Sequence, residues 1–525
     1  MSIKAIGEPG CSSESVMEKE KKRDFENMTI SPSPEILKTC TVSYTFTGKA
    51  INFDKRLLKK LETQIKSFHK TISSENTKLD DIVTLAQTHY NICEAYFIIM
   101  LNEKDKQLNA IENIKYCLRL LKDKELNCKS ILIALNGHNL LGSIYTRQKN
   151  AEKAISIYDK AVDLYSAYMQ EKNEYGTPID LQNIIYEKTA RLNGYQKLTD
   201  VYIIILQSLT TQHKLMGSSN ECSFIMRSHM LLLTQFHQLT KNKLYFNWIH
   251  SATLICKFLL RHCRFKEALS HLNVASFVKR THLHIDYTEQ PSKQGSSKEE
   301  SSSSDLLEQS KKARRILVLE WANYGITLLR RSAERLLRLQ KDENVEMNKS
   351  ESSRKSKKQP QKLLLFTEIE KEYSILNTYH SITDKYISDY DGARETFLLV
   401  LRMLNDIQDE QETEDISILA KLKICKVYKY MSLYEQNTMS QIVLQNRQIH
   451  VLPLLMQVPK AQRILSRYIR LQFALTHSSL VETHIGMLEM VDPTYAPRRC
   501  TAVNEEIDFH LEKGLKYLQK YVQNE

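Results

Sequence analysis

The sequence predicts an all-α protein built from stacked helical hairpins. Apolar residues recur every three to four positions from about Phe53 to Val278 and again after Leu363, which is the period of a helix. Only 13 Gly and 10 Pro occur in 525 residues, fewer than a fold rich in tight turns requires. No segment alternates polar and apolar residues as a strand does. Because this length exceeds one compact core, we expect several domains or an elongated array of repeats.

The composition changes along the chain and suggests domain boundaries. Two Ser- and Lys-rich stretches have no apolar period and therefore no reason to pack, and an amphipathic helix lies between them. The first residues are polar and aperiodic, which is typical of disorder. We predict a disordered tail (1–45), an amino-terminal helical array (46–287), a Ser-rich linker (288–312), a linker helix (313–340), a basic linker (341–362) and a carboxyl-terminal helical half (363–525).

One stretch, "LLGSIYTRQKNAEKAISIYDKA", carries a repeat motif. Its spacing matches the tetratricopeptide pattern, in which a Gly and an Ala allow two helices to approach closely and aromatic residues fill the splayed ends. An ordinary helical bundle with alanines at its contacts is the alternative. The same spacing returns more weakly downstream. The predicted packing residues are Leu141, Gly142, Tyr145, Ala154, Tyr158 and Ala161, followed by Ala268, Leu272 and Ala275.

A stack of such hairpins has an open face and lacks the enclosed pocket that chemistry usually needs, so its default use is binding a protein. The sequence contains no GxxxxGK[ST], GxGxxG or GxSxG motif. The densest Cys and His clusters, at Cys256–Cys263 and Thr281–His284, do not supply four ligands at zinc spacing. We therefore predict no enzyme, no cofactor, no metal and no small-molecule substrate.

The location follows from features that the sequence lacks. No apolar run approaches the roughly 20 residues of a membrane-spanning helix, and the first thirty residues have no apolar signal segment. None of the ten cysteines forms a CxxC pair, so buried free thiols are the simplest interpretation. We expect a soluble cytosolic protein without membrane insertion.

The net charge of +12 is unevenly distributed. Residues 311–362 hold 15 Lys and Arg against 6 Asp and Glu. This segment could contact phosphates, but few aromatic residues interleave with it for base stacking, so a nucleic-acid partner is disfavoured. A basic RNA-associated or general scaffolding tetratricopeptide protein remains the alternative. The acidic run Asp406–Asp415 is either a solvated loop or a segment that steers a basic partner.

Several blocks together resemble a known family. They include "LNGHNLLGSIY" at Leu135–Tyr145, "NWIHSATL" at Asn247–Leu254 and "RQIHVLPLL" at Arg447–Leu455, and their order along the chain is more specific than any one block. The chain resembles the KIF-binding protein (kinesin-binding protein) family. The resemblance implies a TPR-like right-handed α-solenoid in two halves joined by a long linker helix, here Ala313–Gln340.

The function implied by this resemblance is not enzymatic. Members bind kinesin motor domains, block their attachment to microtubules and so regulate axonal and organelle transport, which implies a cytoplasmic, cytoskeleton-associated protein. The motor is held by a concave face of the amino-terminal half and by a loop of the other half. Carried over by position, the loop is Leu452–Pro459, where two prolines should break a helix. The contact residues implied are Asp200, Gln238, Leu454, Leu455, Met456, Gln457 and Val458.

The chain also departs from this family. Its sequence after Gly486 is shorter than expected, so the final hairpins are predicted to be absent. A motor surface that binds acidic tubulin is itself basic. The competing surface on this chain should therefore be acidic or apolar.

Overall fold

The computed structural model describes residues 30–46, 55–72, 77–99, 107–182, 193–242, 244–283, 297–343, 363–370, 382–408, 414–490 and 496–523. These residues form α-helices, two short 3-10 helices and no strand. The prediction of an all-α fold is therefore confirmed. In the same residues no helix is both long enough and apolar enough to cross a bilayer.

Contacts between residues divide the chain into two units, Met1–Gln235 and Phe236–Glu525. Most helices of the first unit pack against a helix that lies near them in the sequence. Their bounds are α1 Pro34–Ser43, α2 Lys55–Ile72, α3 Leu79–Ile99, α4 Gln107–Leu120, α5 Ile131–Arg147, α6 Ala151–Gln170, α7 Lys172–Tyr175, α8 Gly194–Leu215 and α9 Glu221–Phe236, the last of which ends at the first residue of the second unit.

The second unit is built in the same way, from helices that pack against their neighbours in the sequence. The helices are α10 Leu239–Asn242, α11 Tyr245–Arg261, α12 Phe265–His282, α13 Ser297–Glu343, α14 Tyr390–Gln408, α15 Glu414–Met431, α16 Thr438–Met456, α17 Pro459–Glu489 and α18 Pro497–Gln523.

Part of the predicted disordered tail is folded. Helix α1 begins with Pro34 at its first position and buries Ile36 and Cys40. The backbone N–H of Ser33 donates to Asp81 Oδ1 at 2.6 Å, and its hydroxyl donates to Oδ2 at 2.8 Å. The tail prediction is therefore wrong for residues 30–45. A short helix with few apolar residues gives too weak a periodic signal, and long-range contacts with α3 stabilise it.

The repeat motif forms the hairpin of α5 and α6. Asn150 caps α6 by accepting a hydrogen bond from the Lys153 backbone N–H at 3.2 Å, which satisfies one of the free donors at the helix start. The side chains of Ala154, Tyr158 and Ala161 are at most 1% exposed and share a core with α8. Leu141 is buried in the neighbouring core, and Tyr145 packs against both.

Gly142 lies directly against the Tyr158 ring. A Cβ added at Gly142 would sit 2.5 Å from Tyr158 Cε1, and the Tyr158 side chain is only 1% exposed, so the ring would have to shift within the core. We expect Gly142→Ala to lower the free energy of unfolding by about 1–2 kcal/mol, because overpacking outweighs the gain in helix propensity. Urea denaturation of the full chain measures this change.

Gly486 provides a matched control for that substitution. It lies in α17, and a methyl group added there would meet no neighbouring atom within 4 Å, so Gly486→Ala should stabilise the chain by about 0.5–1 kcal/mol. If Gly142→Ala stabilises as much as Gly486→Ala does, the close approach of α5 and α6 does not depend on the glycine.

The second set of packing residues lies on α12. Ala268, Leu272 and Ala275 are fully buried, and α12 packs against α11 and α13. The spacing predicted from the first hairpin is therefore found here on an inward face of the helix.

The predicted linker helix is longer than expected and lies inside the second unit. Helix α13 begins at Ser297 rather than Ala313, so it includes most of the predicted Ser-rich linker. Serine costs a helix only about half a kcal/mol, and the ion pair between Lys312 and Glu308, one turn apart at 3.5 Å, adds local support. Composition alone cannot distinguish such an exposed helical turn from a linker.

The predicted loop at Leu452–Pro459 is mostly helical. Helix α16 continues to Met456 and α17 begins at Pro459, so only Gln457 and Val458 separate them. Pro453 lies in the last turn of α16, where a missing N–H removes a single hydrogen bond. Pro459 occupies the first turn of α17, where proline is favoured. The two prolines therefore shape a tight turn rather than a loop.

Candidate partner-binding surfaces

The turn between α16 and α17 presents some of the predicted contact residues and buries others. The Leu454 side chain is 44% exposed and Gln457 is exposed, whereas Leu455 is fully buried in a core with Ile469 and Phe473. Met456 and Val458 are half-buried and pack on the edge of that core. The surface available to a partner is therefore formed by Leu454 and Gln457, and we call residues 454–458 the α16–α17 turn.

The acidic run ends beside this turn. Lys460 Nζ lies 2.6 Å from Asp415 Oδ2, and the Lys460 backbone N–H donates to Glu414 Oε1 at 3.4 Å. Glu414 and Asp415 are exposed at the start of α15, where acidic residues also favour the helix dipole. Residues 409–413 lie outside the described residues. Two features that the sequence places about 40 residues apart therefore adjoin on one surface.

Asp200 begins an exposed stripe on α8 in the first unit. Its carboxylate accepts a hydrogen bond from Gln196 Nε2 at 2.9 Å and is half-buried. Ile204, Gln207 and Thr211 follow at helical spacing on the same face and are exposed, with Ile204 47% exposed. Sequence reasoning selected only Asp200, because helical periodicity alone does not distinguish an exposed isoleucine from a core residue.

Gln238 does not lie on the surface. It occupies the turn between α9 and α10, and its side chain is only 7% exposed. A direct contact between this side chain and a partner would require the turn to open. Its position is better suited to stabilising the turn than to recognition.

The structure also shows an apolar groove that sequence reasoning missed. It has a volume of about 310 Å³ and is lined by α14, α15 and α16. Leu398, Met439 and Val443 line it and are each 47–53% exposed. At its edge, a hydrogen bond with Glu435 raises the pKa of Tyr390. The signal was hidden because each helix contributes only one or two apolar residues outside its buried stripe.

Three arginines of α13 have contacts within the chain. Arg331 Nη1 donates to Glu334 Oε2 at 2.9 Å, and Arg330 Nε lies 3.7 Å from Oε1 of the same carboxylate. The Arg335 guanidinium lies 4.9 Å from the centre of the Tyr386 ring. Apart from Lys341, which lies in the last turn of α13, the lysines of the basic linker are outside the described residues. These contacts of the described arginines therefore favour a structural role over phosphate binding.

The Cys and His clusters considered for metal or nucleophilic chemistry do not form such a site in the described residues. Cys256 is fully buried, and burial raises the pKa of its thiol well above the usual range. His262 is exposed and lies beyond the end of α11. A protonated, enclosed thiol is neither a nucleophile nor a ligand.

Comparison with known proteins identifies the family of the second unit. A family model described as "KIF-1 binding protein C terminal" matches residues 246–524, more than half of the chain. The chain belongs to the KIF-1 binding protein C-terminal family. The match begins at α11 and includes every later helix, so α13, the apolar groove and the α16–α17 turn all lie within the region typical of KIF-1 binding proteins.

A curated relative extends the likeness beyond this region. The KIF-binding protein of Danio rerio is 20% identical over 401 residues, covering 73% of this chain and 60% of the relative. The chain therefore spans about 60% of the length of that KIF-binding protein. The resemblance found in the sequence blocks is confirmed at the level of the family.

Proposed function

We propose that this chain binds the motor domains of kinesins, prevents them from attaching to microtubules and thereby regulates microtubule-based transport of organelles, including along axons. It does so without catalysing a reaction, and it acts in the cytoplasm in association with the cytoskeleton. The observation that carries this proposal is the match over residues 246–524 to a family described as "KIF-1 binding protein C terminal".

The surface chemistry of the α16–α17 turn supports the proposal. A motor surface that recognises acidic tubulin is basic, so its competitor needs acidic and apolar groups. Leu454 provides an exposed apolar side chain, while Glu414 and Asp415 provide carboxylates at the start of α17, where Asp415 pairs with Lys460. Such an arrangement allows an apolar anchor to be surrounded by charges that orient a basic partner.

The stripe on α8 offers a second contact surface in the first unit. Asp200 contributes an acidic group and Ile204 contributes an exposed apolar side chain. This stripe therefore combines acidic and apolar groups, as the surface around the α16–α17 turn does. Blocking would be steric, since a motor domain bound to this chain cannot present the same surface to tubulin.

Leu454→Ala should weaken binding to a kinesin motor domain at least tenfold without unfolding the chain. The side chain is exposed in the free protein, and burial of an apolar anchor at the centre of an interface typically contributes about 1–2 kcal/mol or more. Isothermal titration calorimetry of the purified motor domain with the full chain measures the affinity.

Neighbouring positions supply the controls for this titration. Gln457→Ala tests the other exposed residue of the turn, whereas Leu475→Ala removes a similarly exposed leucine, 47% exposed, from α17 and should leave the affinity unchanged. Leu455→Ala should instead destabilise the fold, because that side chain is fully buried. Unchanged affinity in both Leu454→Ala and Gln457→Ala would remove the turn from the binding surface.

A further inference from the structure

Three histidines and a glutamate meet between the last two helices, α17 and α18. His477 and His484 lie seven residues apart on one face of α17, and Glu506 and His510 lie four residues apart on one face of α18. The three histidines are at most 6% exposed, although histidine is a costly choice for a helix interface that apolar residues could fill. None of these residues belongs to the surfaces described above.

The hydrogen bonds orient two imidazole rings toward a common point. His484 Nδ1 donates to the Leu480 carbonyl oxygen at 2.8 Å, which leaves the lone pair on Nε2. His510 Nε2 lies 3.6 Å from Glu506 Oε2. One ligand atom from each of His484, Glu506 and His510 lies within 4.8 Å of the other two.

His477 completes the arrangement behind His510. The Nδ1 atoms of the two rings are 2.9 Å apart, so one of them carries the proton and the other accepts it. With His510 Nδ1 donating to His477 Nδ1, the lone pair of His510 lies on Nε2, the nitrogen that faces Glu506.

We propose that His484, Glu506 and His510 form a Zn²⁺ site that links α17 to α18. Two imidazole nitrogens and a carboxylate are a zinc donor set, and a fourth position remains for water. His477 and the Leu480 carbonyl act as the outer partners that hold the ligand rings, as is usual around protein zinc.

The geometry requires a small adjustment on binding. Ligands bonded to tetrahedral zinc at about 2.1 Å lie roughly 3.4 Å apart, closer than the outer limit of 4.8 Å found here. Glu506 can make most of this movement, because its side chain is 59% exposed whereas both imidazole rings are enclosed. The nearby cation Lys513 lies 5.2 Å from the centre of the Phe509 ring.

The sequence contains a signal for this site that spacing rules for zinc did not detect. The pairs His477–His484 and Glu506–His510 each lie on one helical face, but they are separated by about 20 residues and by a helix boundary. The prediction that the chain has no metal site considered only close Cys and His clusters.

The test uses the full chain, stripped of metal by a chelator and then titrated with Zn²⁺ alone. We expect one equivalent to bind and to raise the thermal unfolding midpoint, since a ligand specific to the folded state stabilises it. Co²⁺ substituted for Zn²⁺ should give the visible absorption bands of a tetrahedral site. Glu506→Gln and His484→Gln should each weaken binding about tenfold or more.

Controls separate this site from incidental binding to cysteines or surface histidines. His450→Gln removes an exposed histidine from α16 in the same unit and should leave affinity unchanged. Because Glu506 is exposed, Glu506→Gln should fold even if a histidine variant does not. The proposal is overturned if Zn²⁺ does not bind, or if Glu506→Gln binds it as tightly as the unsubstituted chain does.

Discussion

Trp321→Ala should lower the free energy of unfolding by about 3–5 kcal/mol, among the largest effects of any single substitution in this chain. The indole is 1% exposed on α13, and its Nε1–H donates to Ser276 Oγ on α12 at 3.0 Å. Tyr324, fully buried one turn further along α13, packs edge-on against it with ring centres 6.1 Å apart. Removing the indole leaves a cavity between α12 and α13 and an unpaired hydroxyl.

Two milder variants separate packing from hydrogen bonding at Trp321. Trp321→Phe keeps most of the ring volume, and Ser276→Ala removes only the acceptor of the indole hydrogen bond. Each should therefore lower the free energy of unfolding by about 1 kcal/mol. Urea denaturation followed by circular dichroism compares the three variants. If Trp321→Ala costs no more than Trp321→Phe, the α12–α13 contact does not depend on the indole.

Glu267→Ala should lower the free energy of unfolding by about 3 kcal/mol and loosen the segment 363–370. Glu267 is 2% exposed near the start of α12 and pairs with two guanidinium nitrogens of Arg264, Nε and Nη2. Its Oε1 also accepts the backbone N–H of Leu364 at 2.8 Å. The alanine variant leaves Arg264 unpaired and a buried backbone donor unsatisfied.

Hydrogen exchange gives a local measure of the Glu267 effect. The amide of Leu364 should exchange much faster in Glu267→Ala. The control Ser270→Ala removes the weaker 3.3 Å bond to the Phe366 amide. The increase in the exchange rate of Leu364 should be smaller in this variant. The exchange rate of Leu364 in Glu267→Gln should lie between those of the other two variants, because the side-chain amide oxygen can still accept from the Leu364 N–H but the ion pair with Arg264 is lost. Equal exchange rates in Glu267→Ala and Ser270→Ala would contradict this account.

The periodic pattern predicted the helices more successfully than their ends. The hairpin of α5 and α6 followed from Gly142 and the spacing of its alanines, since those residues pack locally within the motif. Helix α1 and the first turns of α13 were missed, because their stability depends on distant partners such as Asp81, or because their Ser-rich composition is also typical of linkers.

The candidate site could be predicted only in part. The resemblance placed the contact residues near the α16–α17 turn, but burial decides which of them face outward, and alternation between Leu454 and Leu455 cannot be read from an apolar run. The proximity of Asp415 to Lys460 and the meeting of His484 with His510 are tertiary contacts between helices. Spacing within one helix carries no information about such contacts.

The central claim concerns competition between this chain and microtubules for a kinesin motor domain. A purified motor domain should be sedimented with stabilised microtubules at increasing concentrations of the full chain and at two salt concentrations. The account predicts that the motor moves from the pellet into the supernatant as a stoichiometric complex with the chain, and that Leu454→Ala requires at least tenfold more chain for the same effect. A motor that remains in the pellet and forms no complex would contradict it.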